Sequence, residues 1–241
     1  MKKTLLLTGT SGFIGKIFLK EALHKGFKVI DILRAKNKKD KDLNLLRKNF
    51  LKSYKSIFYK NNSEIEKKLR KIKANYFINF ATFYKNTHTY SEIPSFINSN
   101  IIFPSLILDL VFLKVQKIIN FGTMMQHLDG KNYISNNFYA STKSAMEMIT
   151  NYYSLLNKNI KIYNLKFYES FSETDNRKKL IPTLIKNYKE NKKTKINSKK
   201  LELNIIHVDD IIKAIDILSG TTKYFVLIDP SSCPLLCTVA P

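Results

Sequence analysis

The sequence has few cysteines and no long apolar run, and both absences narrow the class of protein. Cys233 and Cys237 are its only cysteines. Two neighbouring cysteines near one end exclude a disulfide framework and a four-ligand zinc site, and they favour a reducing compartment. No uninterrupted apolar stretch approaches the roughly 18 residues that a membrane-spanning helix needs. We therefore expect a cytoplasmic protein without a membrane span.

Arginine is also scarce, with 4 residues among the 41 cationic side chains. The formal net charge of +22 would suit a phosphate-rich partner. However, arginine is the main base-reading residue, and the lysines are spread over most of the chain. This distribution argues against a dedicated nucleic-acid function and indicates solvated, lysine-rich surfaces. A polyanion binder, recognisable by steeply salt-dependent binding, stays open as an alternative.

Apolar runs alternate with helical patterns over most of the chain, whose 241 residues are long enough for one large α/β domain. Strands are predicted at residues 4–8, 27–33, 56–59, 76–81, 117–121, 161–167 and 203–208, and helices at residues 13–25, 63–73, 97–113 and 209–218 and from residue 137. This alternation predicts an α/β fold with a Rossmann-type doubly wound parallel sheet. Residues 1–167 are the predicted dinucleotide-binding domain. Residues 168–241 are a predicted small substrate-binding part, interleaved with late Rossmann elements at residues 203–218.

Three of the 7 glycines form a phosphate-binding pattern. Gly9, Gly12 and Gly15 directly follow a predicted strand and open a predicted helix. Positions without a Cβ atom let the backbone approach a diphosphate, and the N–H groups at a helix start attract its negative charge. The residues predicted to bind a dinucleotide at this turn are Gly9, Ser11, Gly12, Phe13, Ile14 and Gly15.

The second predicted strand ends in a cation where an acid would select NAD. An acidic residue about twenty positions after the glycine turn binds the ribose 2′-hydroxyl of NAD, but Leu33 and Arg34 occupy this place. Asp31 comes too early and, by strand alternation, lies on the face of Leu33 but deeper in the sheet. Because a guanidinium matches phosphate geometry, Arg34 with Lys36 nearby predicts NADP as the cofactor. NAD remains an alternative cofactor, in which case Arg34 would lie along the adenine.

Tyr139 and Lys143 form the candidate catalytic pair. Residues four apart share one side of a helix, so the Lys143 ammonium can lie near the Tyr139 phenol and favour its ionised form. A second pair with this spacing, Tyr188 and Lys192, lacks a preceding strand end and is interpreted as a surface helix face. Thr123, just after a predicted strand, supplies a neutral hydroxyl for the substrate oxygen. Together these residues predict proton transfer beside a hydride carrier.

Several segments in a fixed order resemble a known family. They are the glycine turn, Asn79-Phe80-Ala81-Thr82, Ser99-Asn100, Gly122-Thr123, the segment from Tyr139 to Lys143, and Ile206-His207-Val208-Asp209-Asp210. The chain resembles the extended short-chain dehydrogenases/reductases of the NAD(P)-dependent epimerase/dehydratase family, in the group that modifies nucleotide sugars. The resemblance implies that Ala81, Asn100 and Lys143 contact the cofactor. It also implies that Thr82 and Met125 contact the substrate.

Within that family, residues 123–127, 165–167 and 175–180 are most similar to reductases of nucleotide-linked 4-keto-6-deoxyhexoses, of the CDP-abequose synthase type. This resemblance implies that NADPH delivers hydride to the C4 ketone for surface polysaccharide synthesis, while Tyr139 protonates the developing alkoxide. Lys143 would also hold the nicotinamide ribose. Arg177 is the implied contact for the substrate diphosphate.

Two methionines separate this chain from the dehydratases of the same group. Those enzymes carry Asp-Glu directly after the hydroxyl residue, whereas this chain has Met124 and Met125, which cannot transfer protons. Dehydration is therefore not expected. Two alternatives stay open, a nucleotide-sugar 4-epimerase with tightly bound NAD and a non-catalytic dinucleotide-binding relative. The family also implies a possible homodimer, and no metal site is predicted.

The last part of the chain departs from the family. His207 is interpreted as a structural residue of a turn, and Asp209 and Asp210 as partners of a helix start. From residue 229 onward the sequence is poor in lysine and rich in proline, and the resemblance fails there. Relatives continue beyond this point, so we expect a truncated or frameshifted product with an incomplete substrate-binding part.

Overall fold

The structure, a computed structural model, describes residues 3–129, 132–196, 204–220 and 235–239. The chain divides into two compact units, residues 1–166 with 237–241 and residues 167–236. The departure from the family at residues 229–233, including Cys233, lies outside the described residues.

The first unit contains a parallel sheet. Its strands are β1 (Thr4–Thr8), β2 (Lys28–Arg34), β3 (Tyr54–Tyr59), β4 (Tyr76–Asn79), β5 (Lys117–Phe121) and β6 (Lys161–Phe167). In the sheet order β3-β2-β1-β4-β5-β6 each strand pairs in parallel with its neighbours, and a strand at Leu235–Val239 lies beside β6. The chain leaves the central β1 first toward one edge and then toward the other. This confirms the predicted doubly wound Rossmann-type fold.

Helices cover both faces of this sheet. They are α1 (Phe13–His24), α2 (Lys41–Asn49), α3 (Asn62–Leu69), α4 (Ile93–Ile97), α5 (Phe103–Val111) and α6 (Phe138–Leu156). The strands are apolar because both of their faces are covered, and Leu5, Leu6 and Leu7 of β1 are essentially inaccessible to solvent. The sequence did not predict α2, since lysines obscure its apolar pattern. Its only buried residue is Leu43.

A ladder of amides crosses the sheet. Thr8, Asn79, Asn120 and Asn164 stand side by side on β1, β4, β5 and β6. The Thr8 hydroxyl donates to Asn79 at 2.7 Å, the Asn79 amide donates to Asn120 at 3.0 Å, and the Asn120 amide donates to Asn164 at 3.2 Å. All four side chains are buried, so each hydrogen bond replaces one that water would otherwise make.

One helical stretch, Tyr90–Val111, is long and apolar enough to cross a membrane by length and composition alone. It runs through α4, a π-helical turn at Asn98–Ile102 and α5. Its side chains at Phe96, Ile107 and Leu108 are completely buried. This burial is typical of a core helix in a globular domain.

The second unit has a short parallel pair of strands, β7 (Glu169–Phe171) and β8 (Ile205–His207). It also contains helices α7 (Leu180–Lys189) and α8 (Val208–Ser219). The side chain of His207 caps α8 by accepting from the Asp209 N–H at 3.3 Å, which agrees with the expected structural role. The expected helix face of Tyr188 and Lys192 is wrong, because α7 ends before Lys192.

Candidate dinucleotide-binding and catalytic site

The turn between β1 and α1 has the backbone shape that the glycine pattern predicts. Gly9 has a φ of +72°, and a Cβ atom there would lie 2.4 Å from the backbone N of Ala81. The N–H of Gly12 donates to the carbonyl of Gly9 at 3.0 Å and closes the turn. A Cβ atom on Gly15 would lie 2.6 Å from that same carbonyl oxygen. The turn therefore packs closely against both β4 and α1, and only glycine fits at Gly9 and Gly15.

The start of α1 is open to an anion. Gly12 is its N-cap, and in the described part of the chain no side chain caps it and no acid lies in its first turn. The backbone N–H groups and the positive end of the helix dipole therefore remain available to a negatively charged group. Ser11 is exposed beside this helix start, and its hydroxyl accepts from the Asn37 amide at 3.1 Å.

A cavity of about 470 Å³ extends from the glycine turn across the ends of β2 and β4. Of the predicted contacts, it is lined by Gly9, Ser11, Gly12, Arg34, Ala81 and Thr82. Three predicted contacts lie in α1 outside the lining, namely Phe13, Ile14 and Gly15. Gly15 packs directly against the Gly9 carbonyl of the turn. Sequence reasoning missed several lining residues that come from distant segments, namely Asn37, Asp40, Tyr59, Phe83 and Phe103.

The rim of this cavity at the end of β2 is cationic. Arg34 lines the cavity beside Lys36 and Leu33, and its guanidinium donates to the Ser99 hydroxyl at 2.7 Å. A neighbouring cavity of about 740 Å³ is also lined by Arg34 and Lys36. Asp31 is fully buried and accepts a hydrogen bond from the Thr10 hydroxyl. It therefore lies deeper in the sheet, as expected from strand alternation.

Tyr139 and Lys143 lie on one side of α6, at the start of the helix. The side chain of Asn137 caps this helix by accepting from the Ala140 N–H at 2.8 Å. The Lys143 Nζ lies 5.8 Å from the centroid of the Tyr139 ring. Lys143 is buried, whereas Tyr139 is partly exposed. The helix therefore brings the predicted pair together.

Burial controls the titration of both groups. It raises the pKa of Tyr139 to about 12, although a hydrogen bond with Thr82 opposes the rise. Burial also lowers the pKa of Lys143 to about 8. The expectation that the lysine brings the pKa of the phenol down is therefore wrong, because burial raises that pKa and the group that lowers it is Thr82, not Lys143. At neutral pH the phenol keeps its proton and can donate it.

Thr123 follows β5, and its side chain is buried. Its Oγ1 atom accepts from the Met125 N–H at 3.3 Å, and this bond does not use the hydroxyl proton, which can be donated to another group. The loop is also attached to the segment before α6, since the Met125 carbonyl accepts from the Asn136 N–H at 3.1 Å. Met125 itself is partly buried there.

Asn100, a predicted cofactor contact, is buried in the π-helical turn and binds protein groups. Its amide oxygen accepts from the Phe83 N–H at 2.7 Å and from the Thr82 hydroxyl at 3.2 Å. Its amide nitrogen donates to Thr142 of α6 at 2.9 Å. Asn100 therefore fastens the loop after β4 to the catalytic helix. Tyr84 of that loop, which the sequence did not single out, meets the Tyr139 ring edge to face at 4.9 Å between centroids.

Arg177 lies in the second unit and is paired with its own loop and with β7. Its Nη2 atom lies 2.6 Å from the Asp175 carboxylate and donates to the Ser170 carbonyl at 2.6 Å. The Asp175 side chain is completely buried. Among the described residues, no group of three or more His, Cys, Asp or Glu side chains lies close enough to hold a metal ion.

Known proteins resemble this chain in sequence and in fold. The sequence profile of the NAD dependent epimerase/dehydratase family matches residues 5–223. CDP-abequose synthase of Yersinia pseudotuberculosis is 28% identical over 214 residues, which are 88% of this chain and 71% of that protein.

Three solved structures share the fold. The dTDP-glucose 4,6-dehydratase of Bacillus anthracis, in complex with NAD, has a TM-score of 0.72 at 21% identity and covers 89% of this chain and 71% of its own. A UDP-glucose 4-epimerase has a TM-score of 0.72 at 17% identity, with 90% and 73% covered. The Bordetella bronchiseptica enzyme WbmH, in complex with NAD+, has a TM-score of 0.70 at 16% identity, with 93% and 74% covered.

Proposed function

The chain belongs to the NAD-dependent epimerase/dehydratase family, and from that membership we propose that it is a nucleotide-sugar oxidoreductase that reduces a C4 ketone with NADPH. The substrate we propose is a nucleotide-linked 4-keto-6-deoxyhexose used for surface polysaccharide synthesis in the cytoplasm. The similarity to CDP-abequose synthase supports this substrate class. The observation that carries the proposal is the Tyr139–Lys143 pair, whose lysine Nζ lies 5.8 Å from the tyrosine ring centroid.

The geometry of the first unit suits a dinucleotide. The glycine turn lacks the Cβ atoms that would block a diphosphate, and the start of α1 offers N–H groups to it. Arg34 and Lys36 support NADP, because they line the cavity at the place where an acid would bind the NAD ribose. The bound nicotinamide supplies the hydride.

The proton for the new hydroxyl comes from Tyr139. Reduction of a ketone needs a group that is protonated at neutral pH, and burial raises the pKa of Tyr139 to about 12. Thr123 donates a second hydrogen bond to the substrate oxygen, since its own oxygen already accepts from Met125. Lys143 holds its positive charge up to a pKa of about 8, which burial sets below the usual lysine value, and binds the nicotinamide ribose.

The substrate side of the site is assigned to Thr82, Met125 and Arg177. Thr82 lines the cavity and hydrogen-bonds to Tyr139, so a sugar oxygen at the phenol would meet it. Arg177 carries the cation for the substrate diphosphate, in exchange for part of its pairing with Asp175. Residues 168–241 form the substrate-binding part in this proposal. Met124 and Met125 support reduction rather than dehydration, since neither side chain transfers protons.

We also propose a homodimer, which an apolar stripe on α6 supports. Met148, Tyr152 and Leu155 are spaced by four and then three residues, which places them on one face of the helix. Their exposed fractions are 67%, 56% and 61%, respectively. A second copy of the chain would cover this stripe with the same residues.

The test is NADPH oxidation with a panel of CDP-, dTDP- and GDP-4-keto-6-deoxyhexoses. We expect turnover with one sugar and a loss of roughly 100-fold or more in kcat for Tyr139→Phe, because the proton donor is removed. Tyr188→Phe is the matched control, since Tyr188 begins the other Tyr/Lys pair and is exposed on α7. Retained NAD and turnover without added reductant would instead identify an epimerase. NADPH binding without turnover on any sugar would identify a non-catalytic protein.

A further inference from the structure

A buried polar cluster lies behind the loop that carries Thr123. We call it the Glu147 cluster, and it consists of Gln126, His127, Glu147 and Lys166. The side chains of Glu147 and Lys166 are 4% and 0% exposed, and Gln126 and His127 are also buried. The catalytic residues assigned above do not include any of them. Such a cluster is costly to bury unless its hydrogen bonds are made, so its connections are informative.

The centre of the cluster is an ion pair. The Lys166 Nζ lies 2.9 Å from Glu147 Oε2 and 3.1 Å from the Nε2 atom of His127. Tyr133, whose ring is exposed, places its hydroxyl 2.9 Å from both Glu147 Oε1 and Lys166 Nζ. Burial and the neighbouring carboxylate raise the pKa of Tyr133. The Tyr133 phenol therefore stays a neutral donor to the Glu147 carboxylate.

Gln126 connects this ion pair to Thr123. Its side-chain oxygen accepts from the Thr123 backbone N–H at 2.8 Å, and its side-chain nitrogen donates to Glu147 Oε2 at 2.8 Å. Gly122 leaves the necessary room, because a Cβ atom there would lie 2.5 Å from the Gln126 oxygen and 2.9 Å from the Lys166 Cγ. The backbone of Thr123 is thus hydrogen-bonded through one amide to a carboxylate on α6.

Glu147 belongs to the same side of α6 as the catalytic pair. Tyr139, Lys143 and Glu147 are four residues apart in turn, which aligns them along one helix face. The ion pair with Lys166 also fixes α6 to β6, on which Lys166 lies. A single helix therefore carries the phenol near its start and, further along the same face, the carboxylate that anchors the Thr123 loop.

We propose that the Glu147–Lys166 pair, acting through Gln126, is a positioning device that holds the Thr123 hydroxyl in a fixed position relative to Tyr139. This inference rests on the proposed reduction, in which both hydroxyls bind the same substrate oxygen. Gln126, Glu147 and Lys166 are positioning residues, since their hydrogen bonds run to protein groups. Two donors held at a fixed separation lower the barrier because the substrate oxygen meets both at once.

The main test removes the link but keeps the ion pair. Gln126→Met is close to isosteric and leaves Glu147 and Lys166 paired. We expect amide hydrogen exchange at Thr123 to accelerate about tenfold or more, since its N–H loses its acceptor. With the sugar that the panel identifies, we expect kcat to fall roughly 10- to 100-fold. The Kd of NADPH is expected to stay within about twofold, because the cluster lies outside the cavity lining.

Thr150→Val is the matched control for the loss of a buried hydrogen bond on the same helix. The Thr150 hydroxyl donates to the Glu147 carbonyl at 2.8 Å, and its side chain is buried. This substitution removes a comparable bond without contacting Gln126. We expect it to leave both kcat and the exchange at Thr123 unchanged. Equal effects in the two variants would reduce the cluster to a general stabilising element and overturn the proposal.

A second variant makes the hydrogen bonds of residue 126 to Thr123 and Glu147 depend on pH. In Gln126→Glu the new carboxyl, when protonated, can still accept from Thr123 and donate to Glu147. When ionised, the new carboxylate repels the Glu147 carboxylate. The other titratable groups nearby are Lys166, His127 and Tyr133. We expect near wild-type kcat at low pH and, with rising pH, a fall in kcat that is larger than any fall in the wild type. A profile parallel to that of the wild type would contradict the proposal.

The exchange measurement needs no substrate, so it separates this inference from the proposed function. Faster exchange in Gln126→Met than in Thr150→Val supports the positioning device even in a protein that turns over no sugar, and only the reductase proposal then fails. Unchanged exchange in Gln126→Met overturns the positioning device, whatever the activity of the enzyme.

Discussion

Asp31 makes the free energy of unfolding fall as the pH rises, which is opposite to the effect of a typical carboxyl group. The carboxyl is fully buried in β2 and accepts from the Thr10 hydroxyl and, at 2.8 Å, from the Tyr54 hydroxyl. Its other oxygen has no hydrogen-bond partner among the described residues. Burial raises its pKa from 3.8 to about 7, and the two hydrogen bonds only partly oppose this. The folded protein therefore keeps this proton at a pH where the unfolded chain has lost it.

The size of the effect follows from linkage between folding and proton binding. Between the unfolded and folded pKa values, the unfolded state binds fewer protons, so the free energy of unfolding falls as the pH rises. Each pH unit in this window corresponds to about 1.4 kcal/mol. From a pKa of 3.8 to one of about 7, Asp31 thus removes about 4 kcal/mol of stability by the time the pH passes 7. Asp31→Asn removes the titrating group and keeps the size of the side chain.

The assay is urea unfolding of the wild type and Asp31→Asn, followed by circular dichroism at several pH values between about 4 and 8. We expect the variant to gain stability over the wild type as the pH rises. Asp42→Asn is the control, because a hydrogen bond from Lys16 lowers the pKa of the exposed Asp42, and its contribution has the opposite sign. A difference between wild type and Asp31→Asn that stays constant across this range would refute the reasoning.

Three further predictions concern the site and the assembly. The kcat/KM for NADPH falls as the pH rises through about 8, the value to which burial lowers the pKa of Lys143. In Lys143→Arg this fall is expected to disappear from the pH profile. If the variant keeps the fall in kcat/KM, a group other than Lys143 causes it. Arg34→Ser raises the Kd of NADPH roughly tenfold or more and leaves that of NADH nearly unchanged, as titrations of both cofactors would show. Equal losses for both would argue against a 2′-phosphate contact. Met148→Glu yields a monomer in sedimentation experiments, since it places a charge on the apolar stripe, and a persistent dimer would place the interface elsewhere.

The sequence predicted those features whose signal is local. The turn at Gly9 and the start of α6 at Asn137 are each determined by a few consecutive residues, because glycine conformation and helix capping are short-range effects. The parallel, doubly wound sheet followed from the alternation of apolar runs with helical patterns. The position of Asp31 also followed, since strand alternation places it on a known face.

Long-range contacts could not be predicted in this way. About twenty residues separate Gln126 from Glu147, and about twenty more separate Glu147 from Lys166. Such spacings do not predict a contact. The pKa of Tyr139 depended on the burial of the phenol, which the Tyr/Lys spacing does not report. Asn100 was expected at the cofactor, but its bonds to Thr82, Phe83 and Thr142 arise from the packing of three separate segments.

The amide ladder through Asn79, Asn120 and Asn164 has a consequence for how the chain folds. Apolar strands in a covered parallel sheet can slide past one another, because most neighbouring side chains are similar in size and chemistry. A slip of one residue here would place three amides in apolar surroundings without their hydrogen bonds. The ladder therefore specifies the alignment of strands that long crossover segments join. Misaligned intermediates are destabilised, and the native alignment is selected although the apolar side chains alone discriminate weakly.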